Sequence, residues 1–151
     1  MTKIKRTSKT FDKQQKRTVM NIITYDDAVP AWMFDKIDRG GDFRFDINRD
    51  DFDSKELINK MISYSGMTWK EIVRQTHDDK RSKHHYLKIN DLSKPALSRL
   101  KVLGLEEDSD QIFSFAFNNK LRIIGLREKD KFHLLWYDKE HQVCFSHKKH
   151  T

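Results

Sequence analysis

Residues 111–147 read QIFSFAFNNKLRIIGLREKDKFHLLWYDKEHQVCFSH, and their pattern determines the predicted fold. In this stretch, short runs of aromatic and β-branched residues alternate with polar turn-forming residues, which is typical of strands joined by tight turns. The runs are 112–117, 121–126, 132–137 and 142–145. Connections this short allow only antiparallel neighbours, so the sequence predicts a four-stranded antiparallel β-meander.

Helical patterns come before the meander. An apolar stripe at i, i+3/i+4 spacing predicts a helix from Ser54 to about Ser65, Thr68 and Glu71 form an S/T-x-x-E capping box, and Ser93-Lys94-Pro95 begins a third helix. The alternation in Asp42–Ile47 predicts a half-buried strand. Helices that precede an antiparallel sheet indicate an α+β fold, and we expect them to cover one sheet face and leave the other available.

The net charge of +7 is concentrated at the N-terminus. Residues 1–17 contain seven basic side chains and one acidic one, so the other 134 residues carry only +1. We therefore divide the chain into a basic tail, 1–18, and a single α+β domain, 19–151. The tail is either a disordered solvated segment or an arm that contacts nucleic acid through phosphate, and its charge is compatible with both.

Several classes are excluded by what the sequence lacks. No apolar run approaches the ~20 residues that span a bilayer, and the charged N-terminus has no secretory signal, so we expect a cytoplasmic protein without a membrane partner. The single Cys144 excludes an internal disulfide. There is no glycine-rich phosphate loop, CxxC, HExxH or GxSxG motif. We predict no cofactor and no metal.

The predicted turns bring three polar side chains together. Two-residue turns at Asn118-Asn119 and Lys129-Asp130 place Arg122, His133 and Tyr137 on one face of the sheet. Arg binds phosphate in a bidentate way, aromatic rings stack on single-stranded bases, and His or Tyr can move a proton at a 2′-hydroxyl. These three are the candidate catalytic residues. The alternative is structural: an ion-paired Arg122, a core-edge Tyr137 and a half-exposed His133.

A second group of residues is predicted to contact nucleic acid around this face. Its members are basic or imidazole side chains at strand ends and in the C-terminal tail: Arg127, Lys131, His84, His85, His141, Lys148 and Lys149. His84 and His85 are adjacent in a predicted short strand and so point to opposite faces. No pair with His141 or Cys144 has the usual zinc spacing. Asp138 and His141 either shape a turn or form a catalytic dyad.

The segments Met67-Thr-Trp with Glu71, LRIIGLR (121–127) and Phe132–His141 resemble a group of small bacterial and phage proteins, a likeness that implies no activity. More loosely, helices followed by a curled meander containing Arg-Ile-x-Gly-x-Arg look like the RelE/ParE toxin superfamily. The chain differs from that superfamily in its longer N-terminal half, its acidic region and its nearly neutral body.

The RelE/ParE resemblance implies a compact α+β fold. It also implies either an endoribonuclease with basic and aromatic residues on the concave sheet face or a ParE-like inhibitor of DNA gyrase that is not a nuclease. Arg122, Arg127 and Tyr137 would then take the phosphate and proton-transfer roles. The implied partners are RNA or the ribosome and a cognate antitoxin. Besides the endoribonuclease, the open hypotheses are a non-catalytic module that binds protein or nucleic acid, and an accessory protein of a phage or mobile element.

Overall fold

Among the described residues, the central sheet has five strands. A computed structural model describes residues 25–144; the predictions for 1–18 and for Lys148 and Lys149 lie outside this range. The strands are β1 (Ala31–Met33), β2 (His85–Tyr86), β3 (Ile112–Ala116), β4 (Arg122–Glu128) and β5 (Lys131–Asp138), in the order β1-β5-β4-β3-β2. β2 to β5 pair in antiparallel fashion, whereas β1 is parallel to β5. The α+β class is therefore confirmed, but the sheet is mixed.

The prediction of a fourth meander strand over 142–145 is wrong for residues 142–144, which form no strand. The chain turns back after β5 instead. The two carboxylate oxygens of Asp138 accept hydrogen bonds from the backbone N–H groups of Gln142 (2.8 Å) and Val143 (2.9 Å). In a strand, these two N–H groups would donate to a neighbouring strand. Because the Asp138 carboxylate accepts their hydrogen bonds instead, the segment bends away from the sheet.

Three α-helices in the described part of the chain pack against the sheet, and they begin where the caps predicted. α1 is Ser54–Ser65, α2 is Trp69–Arg74 and α3 is Lys94–Leu103. Both hydrogen bonds of the Thr68–Glu71 capping box are present. Gly104 ends α3 with φ of 70°, the left-handed conformation that glycine adopts without a steric cost.

Both faces of the sheet are covered, contrary to the expectation of one open face. α1 and α2 bury Met61, Tyr64 and Trp69 against the face that carries Phe115 and Phe132. α3 covers the opposite face through Ala96 and Leu100, which pack in one cluster with Ile124, Leu126, Leu135 and Trp136. Because this second face is also apolar, it has to be removed from water by a layer of its own.

A β-bulge in β5 changes the predicted register. The turn at 129–130 has two residues as predicted, and Gly125 pairs with Leu134. Beyond this pair the register shifts by one, because Leu135 is extra: Ile124 pairs with Trp136, and Arg122 pairs with Asp138 rather than with Tyr137. Leu135 and Trp136 consequently both lie in the cluster under α3.

The first hairpin also has a longer turn than predicted. Ala116 pairs with Arg122, and the N–H of Phe117 donates to the carbonyl of Leu121 at 3.0 Å, so three residues, 118–120, form the loop. The expected strand over Asp42–Ile47 is reduced to an isolated bridge between Arg44 and Trp136. Its Phe43 and Phe45 are buried as predicted, while Ile47 is 69% exposed.

The bulge requires a glycine at position 125. A Cβ there would lie 2.3 Å from the carbonyl oxygen of His133 and 2.6 Å from Cζ of Phe132. We predict that Gly125→Ala lowers the free energy of unfolding by about 2–3 kcal/mol, the cost of overpacking a close backbone approach, as measured by urea denaturation. The control is Gly66→Ala, whose nearest contact is at 3.6 Å and which should change stability by less than about 0.5 kcal/mol. Equal losses in the two variants would contradict this account of the bulge.

Candidate functional site

The structure separates the three predicted catalytic residues. Tyr137 lies on the α1 side of the sheet, fully buried, with its ring stacked on Phe52 at 4.2 Å between centroids. Its hydroxyl accepts a hydrogen bond from the N–H of Asp53 at 3.1 Å, at the N-cap of α1. The prediction that Tyr137 shares a face with Arg122 is therefore wrong, and the bulge at Leu135 is the reason.

His133 is on the same face as Arg122 but far along it. It pairs with Leu126, four residues along β4 from Arg122, or about 13 Å at about 3.3 Å per residue. Its Nδ1 is hydrogen-bonded to Oδ1 of Asp35 at 2.6 Å, and its buried Nε2 has no hydrogen-bond partner within residues 25–144. His133 and Arg122 therefore cannot contact the same phosphate.

Arg122 is buried, with only 5% of its surface exposed. Its Nη1 donates to the carbonyl oxygens of Asn118 (2.8 Å), Leu121 (3.1 Å) and Asn119 (3.3 Å), which ties down the hairpin loop. Burial lowers the pKa of the guanidinium, although Asp138 opposes that shift. An arginine already desolvated in this way needs less reorganisation to contact an anion.

Arg122 also lines a cleft of about 710 Å³ together with His85 and His141. We call this the histidine cleft; His77, Lys83 and Asp91 are further members of its wall. It brings together three residues that the sequence singled out, in a different grouping from the predicted one. Loop residues such as His77, Asp91 and Asn119 were not predicted as site residues, because no local sequence pattern indicates which loops lie next to the end of a strand.

His84 and His85 point to opposite faces, as predicted. His84 is buried beneath α1, where its ring lies edge-on to Tyr64. Its Nδ1 accepts from the N–H of Ala116 at 3.0 Å, so Nε2 carries the proton and donates to Oε1 of Gln75 at 2.7 Å. Burial lowers the pKa of His84 to about 3. The ring is therefore a neutral structural element, and its predicted contact with nucleic acid is excluded by burial.

His85 opens into the cleft, where its imidazole could accept a proton. Partial burial lowers its pKa, and the charges of Arg122 and His77 lower it further, while Asp91 acts in the opposite direction. A lowered pKa keeps the imidazole neutral at pH 7, the form that accepts a proton.

His141 is held in the turn that follows β5. It has a positive φ of 57°, a conformation that is uncommon outside glycine and that this turn imposes. Asp138 accepts the two backbone N–H groups described above and is 2% exposed, so it shapes the turn. Burial raises the pKa of the nearby Cys144 thiol, which makes it a poor nucleophile at neutral pH.

Arg127 and Lys131 do not join the cleft. The Arg127 guanidinium lies 4.2 Å from the centroid of the Trp69 ring and donates to the hydroxyl of Tyr86 and to Asp26. Lys131 begins β5 beside the turn at 129–130, at the other end of the strand pair from Arg122. Arg127, on β4, therefore links Asp26 and the β2 residue Tyr86 to the sheet.

Within residues 25–144, no cluster of three or more His, Cys, Asp or Glu side chains could hold a metal ion. None of the helices in the described part of the chain has the length and hydropathy needed to cross a membrane. Searches of protein-family models, of curated proteins and of solved structures found no significant match to this chain.

The buried His84 predicts a specific loss of stability in acid. In the unfolded chain its pKa is near 6.5, so unfolding takes up a proton below that pH and stability falls as the pH drops from 6.5 toward 3. Between pH 7 and 5.5 this amounts to on the order of 1 kcal/mol. His84→Leu should have a lower free energy of unfolding at pH 7 but should lack this dependence on pH. The difference in unfolding free energy between wild type and variant, measured by urea denaturation, should therefore narrow as the pH falls. A difference that stays constant would refute the assignment of the pH dependence to His84.

A second prediction concerns the coupling of His85 to its neighbours. In an NMR titration of the imidazole, the pKa of His85 should lie below 6.5; Arg122→Gln should raise it because a nearby positive charge is removed, and Arg122→Lys should keep it low. Asp91→Asn should lower it, because the opposing negative charge is lost. Shifts in the same direction for Arg122→Gln and Asp91→Asn would exclude this arrangement.

Proposed function

We propose that this chain is a toxin-type protein of RelE/ParE-like character that acts on RNA as a metal-independent endoribonuclease, with the histidine cleft as its site. The observation that carries the proposal is that Arg122, His85 and His141 line one cavity. One guanidinium and two imidazoles supply charge stabilisation, a base and an acid without a metal ion.

The reaction that fits these groups is transesterification at a phosphodiester. Neutral His85 takes the proton from the 2′-hydroxyl, and the 2′-oxygen attacks phosphorus. The bond from phosphorus to the 5′-oxygen breaks as protonated His141 gives its proton to that leaving oxygen. The products are a 2′,3′-cyclic phosphate and a 5′-hydroxyl, and no oxidant or co-reactant is needed. Arg122 stabilises the charge that develops on the non-bridging oxygens.

The lowered pKa of His85 supports its assignment as the base, because the unprotonated ring is the reactive form at pH 7. His77 and His141 are the other two imidazoles of the cleft. His141 is assigned as the acid because it lies on the turn after β5 that the Asp138 carboxylate fixes. The buried setting of Arg122 supports an electrostatic role, since interactions with developing charge are stronger away from water.

A second candidate is a non-catalytic module that binds RNA or a protein. It is favoured by the engagement of Arg122 Nη1 with three carbonyls, which marks a structural role for part of the guanidinium. It is also favoured by the cleft charges: within the described residues, Arg81, Lys83 and Arg122 are balanced by Asp78, Asp79 and Asp91. A neutral cleft gives weaker phosphate affinity than a basic one.

The proposal predicts cleavage of single-stranded RNA by the purified full-length chain in the presence of EDTA, with a cyclic phosphate product, and no cleavage of an oligonucleotide that is 2′-deoxy at the scissile position. His85→Ala and His141→Ala should each reduce the rate by about 10²–10⁴-fold, the usual contribution of a general base or acid. Circular dichroism checks that each variant remains folded.

The matched control is Tyr137→Phe, which removes the hydroxyl of the originally predicted phenol. Because that hydroxyl is bonded to the Asp53 amide in the core, the variant should lose about 1 kcal/mol of stability and keep its rate. RNA binding without cleavage in wild type would select the second candidate. Loss of cleavage in Tyr137→Phe with intact His85→Ala activity would contradict the assignment to the histidine cleft.

A further inference from the structure

A second cavity adjoins the histidine cleft beside the β3–β4 hairpin. Its volume is about 850 Å³, and His77, Asp78, Lys83 and Asn119 line both cavities. The two cavities therefore adjoin, with Asn119 on the wall that they share, and we call them together the groove. Each has the size of a site for a small-molecule ligand, about 300–1,000 Å³, which suits nucleotides rather than a duplex.

The second cavity is more basic than the first. Within residues 25–144 its wall has four lysines, Lys60, Lys83, Lys120 and Lys139, against the two carboxylates of Asp78 and Glu140. Lys120 and Glu140 form an ion pair at 3.3 Å, but their side chains are 73% and 54% exposed, so the pair holds the lysine weakly. The positive charge of the groove is therefore concentrated beside the histidine cleft.

The wall between the cavities is fixed by internal hydrogen bonds. Oδ1 of Asn118 accepts from the N–H groups of Lys120 (3.0 Å) and Leu121 (2.8 Å), and its Nδ2 donates to Glu56. Arg122 Nη1 donates hydrogen bonds to the carbonyl oxygens of Asn118 and Asn119 in the same loop. A wall that is ordered before binding reduces the entropy lost when a ligand occupies the groove.

We propose that the second cavity is a phosphate-binding subsite and that the ligand of this protein is a single-stranded oligoribonucleotide long enough to occupy both cavities. This inference rests on the proposed function, since it extends the same site. The lysines contact the phosphates that flank the nucleotide in the histidine cleft. A dinucleotide fills only the first cavity and gains nothing from them.

The test compares two ligands and two variants of the full chain. The ligands are a fluorescent, non-cleavable 2′-O-methyl RNA decamer and the corresponding dinucleotide, measured at several salt concentrations. Lys120→Ala/Lys139→Ala should weaken decamer binding by about 10-fold or more and reduce the slope of log K against log salt by about 1–2, since two phosphate contacts are lost. The affinity of this double variant for the dinucleotide should differ from that of wild type by less than about twofold. The matched control is Lys101→Ala, an exposed residue of α3 that lines neither cavity.

Equal effects of the double variant on decamer and dinucleotide, or equal effects of the double variant and Lys101→Ala, would overturn the subsite. An acidic decapeptide that competes as well as the RNA would overturn it in favour of a protein ligand. If decamer affinity depends on Lys120 and Lys139 but the unmodified decamer is never cleaved, the subsite is supported and the nuclease activity is refuted. If the dinucleotide is cleaved but the decamer binds no more tightly than the dinucleotide, the nuclease activity is supported and the subsite is refuted.

Discussion

The extra residue Leu135 in β5 determines which side chains share a face of the sheet. Beyond it every cross-strand pair of β4 and β5 is displaced by one, so Tyr137 enters the core beneath α1 and Arg122 lies opposite Asp138. The bulge is possible because Gly125 leaves room for the carbonyl of His133. One residue thus decides that the phenol is structural and that the guanidinium reaches a cleft at the end of the sheet.

Local signals predicted much of the fold. The capping box at Thr68, the proline start of α3 and the two-residue turn at 129–130 all depend on residues close in sequence, and the structure has each of them. The parallel pairing of β1 with β5 joins residues a hundred positions apart, and a three-residue strand has no periodicity to show it. The covering of the second face by α3 was missed for the same reason, since pairing partners are set by packing rather than by pattern.

In the candidate site, too, local features could be predicted from the sequence and long-range contacts could not. The alternation of a strand was enough to predict that His84 and His85 point apart. Burial then gives the two rings different properties: His84 is neutral and hydrogen-bonded between Ala116 and Gln75, whereas His85 opens into the cleft and has a lowered pKa. What the sequence could not give is the identity of the loops that close the cleft. His77 and His141 lie in turns that are far apart in the sequence, and a change of one residue in the length of either turn would move its histidine out of the cleft.

In the proposed site, Arg122, His85 and His141 surround one ligand position. An NMR titration of the histidine side chains with a ribonucleoside 3′-monophosphate measures whether they do. The ring signals of His85 and His141 should shift together with a single dissociation constant, while those of His84 and His133 should stay unchanged. Independent responses of His85 and His141, or a shift of His133 in place of theirs, would show that the three residues do not share a ligand.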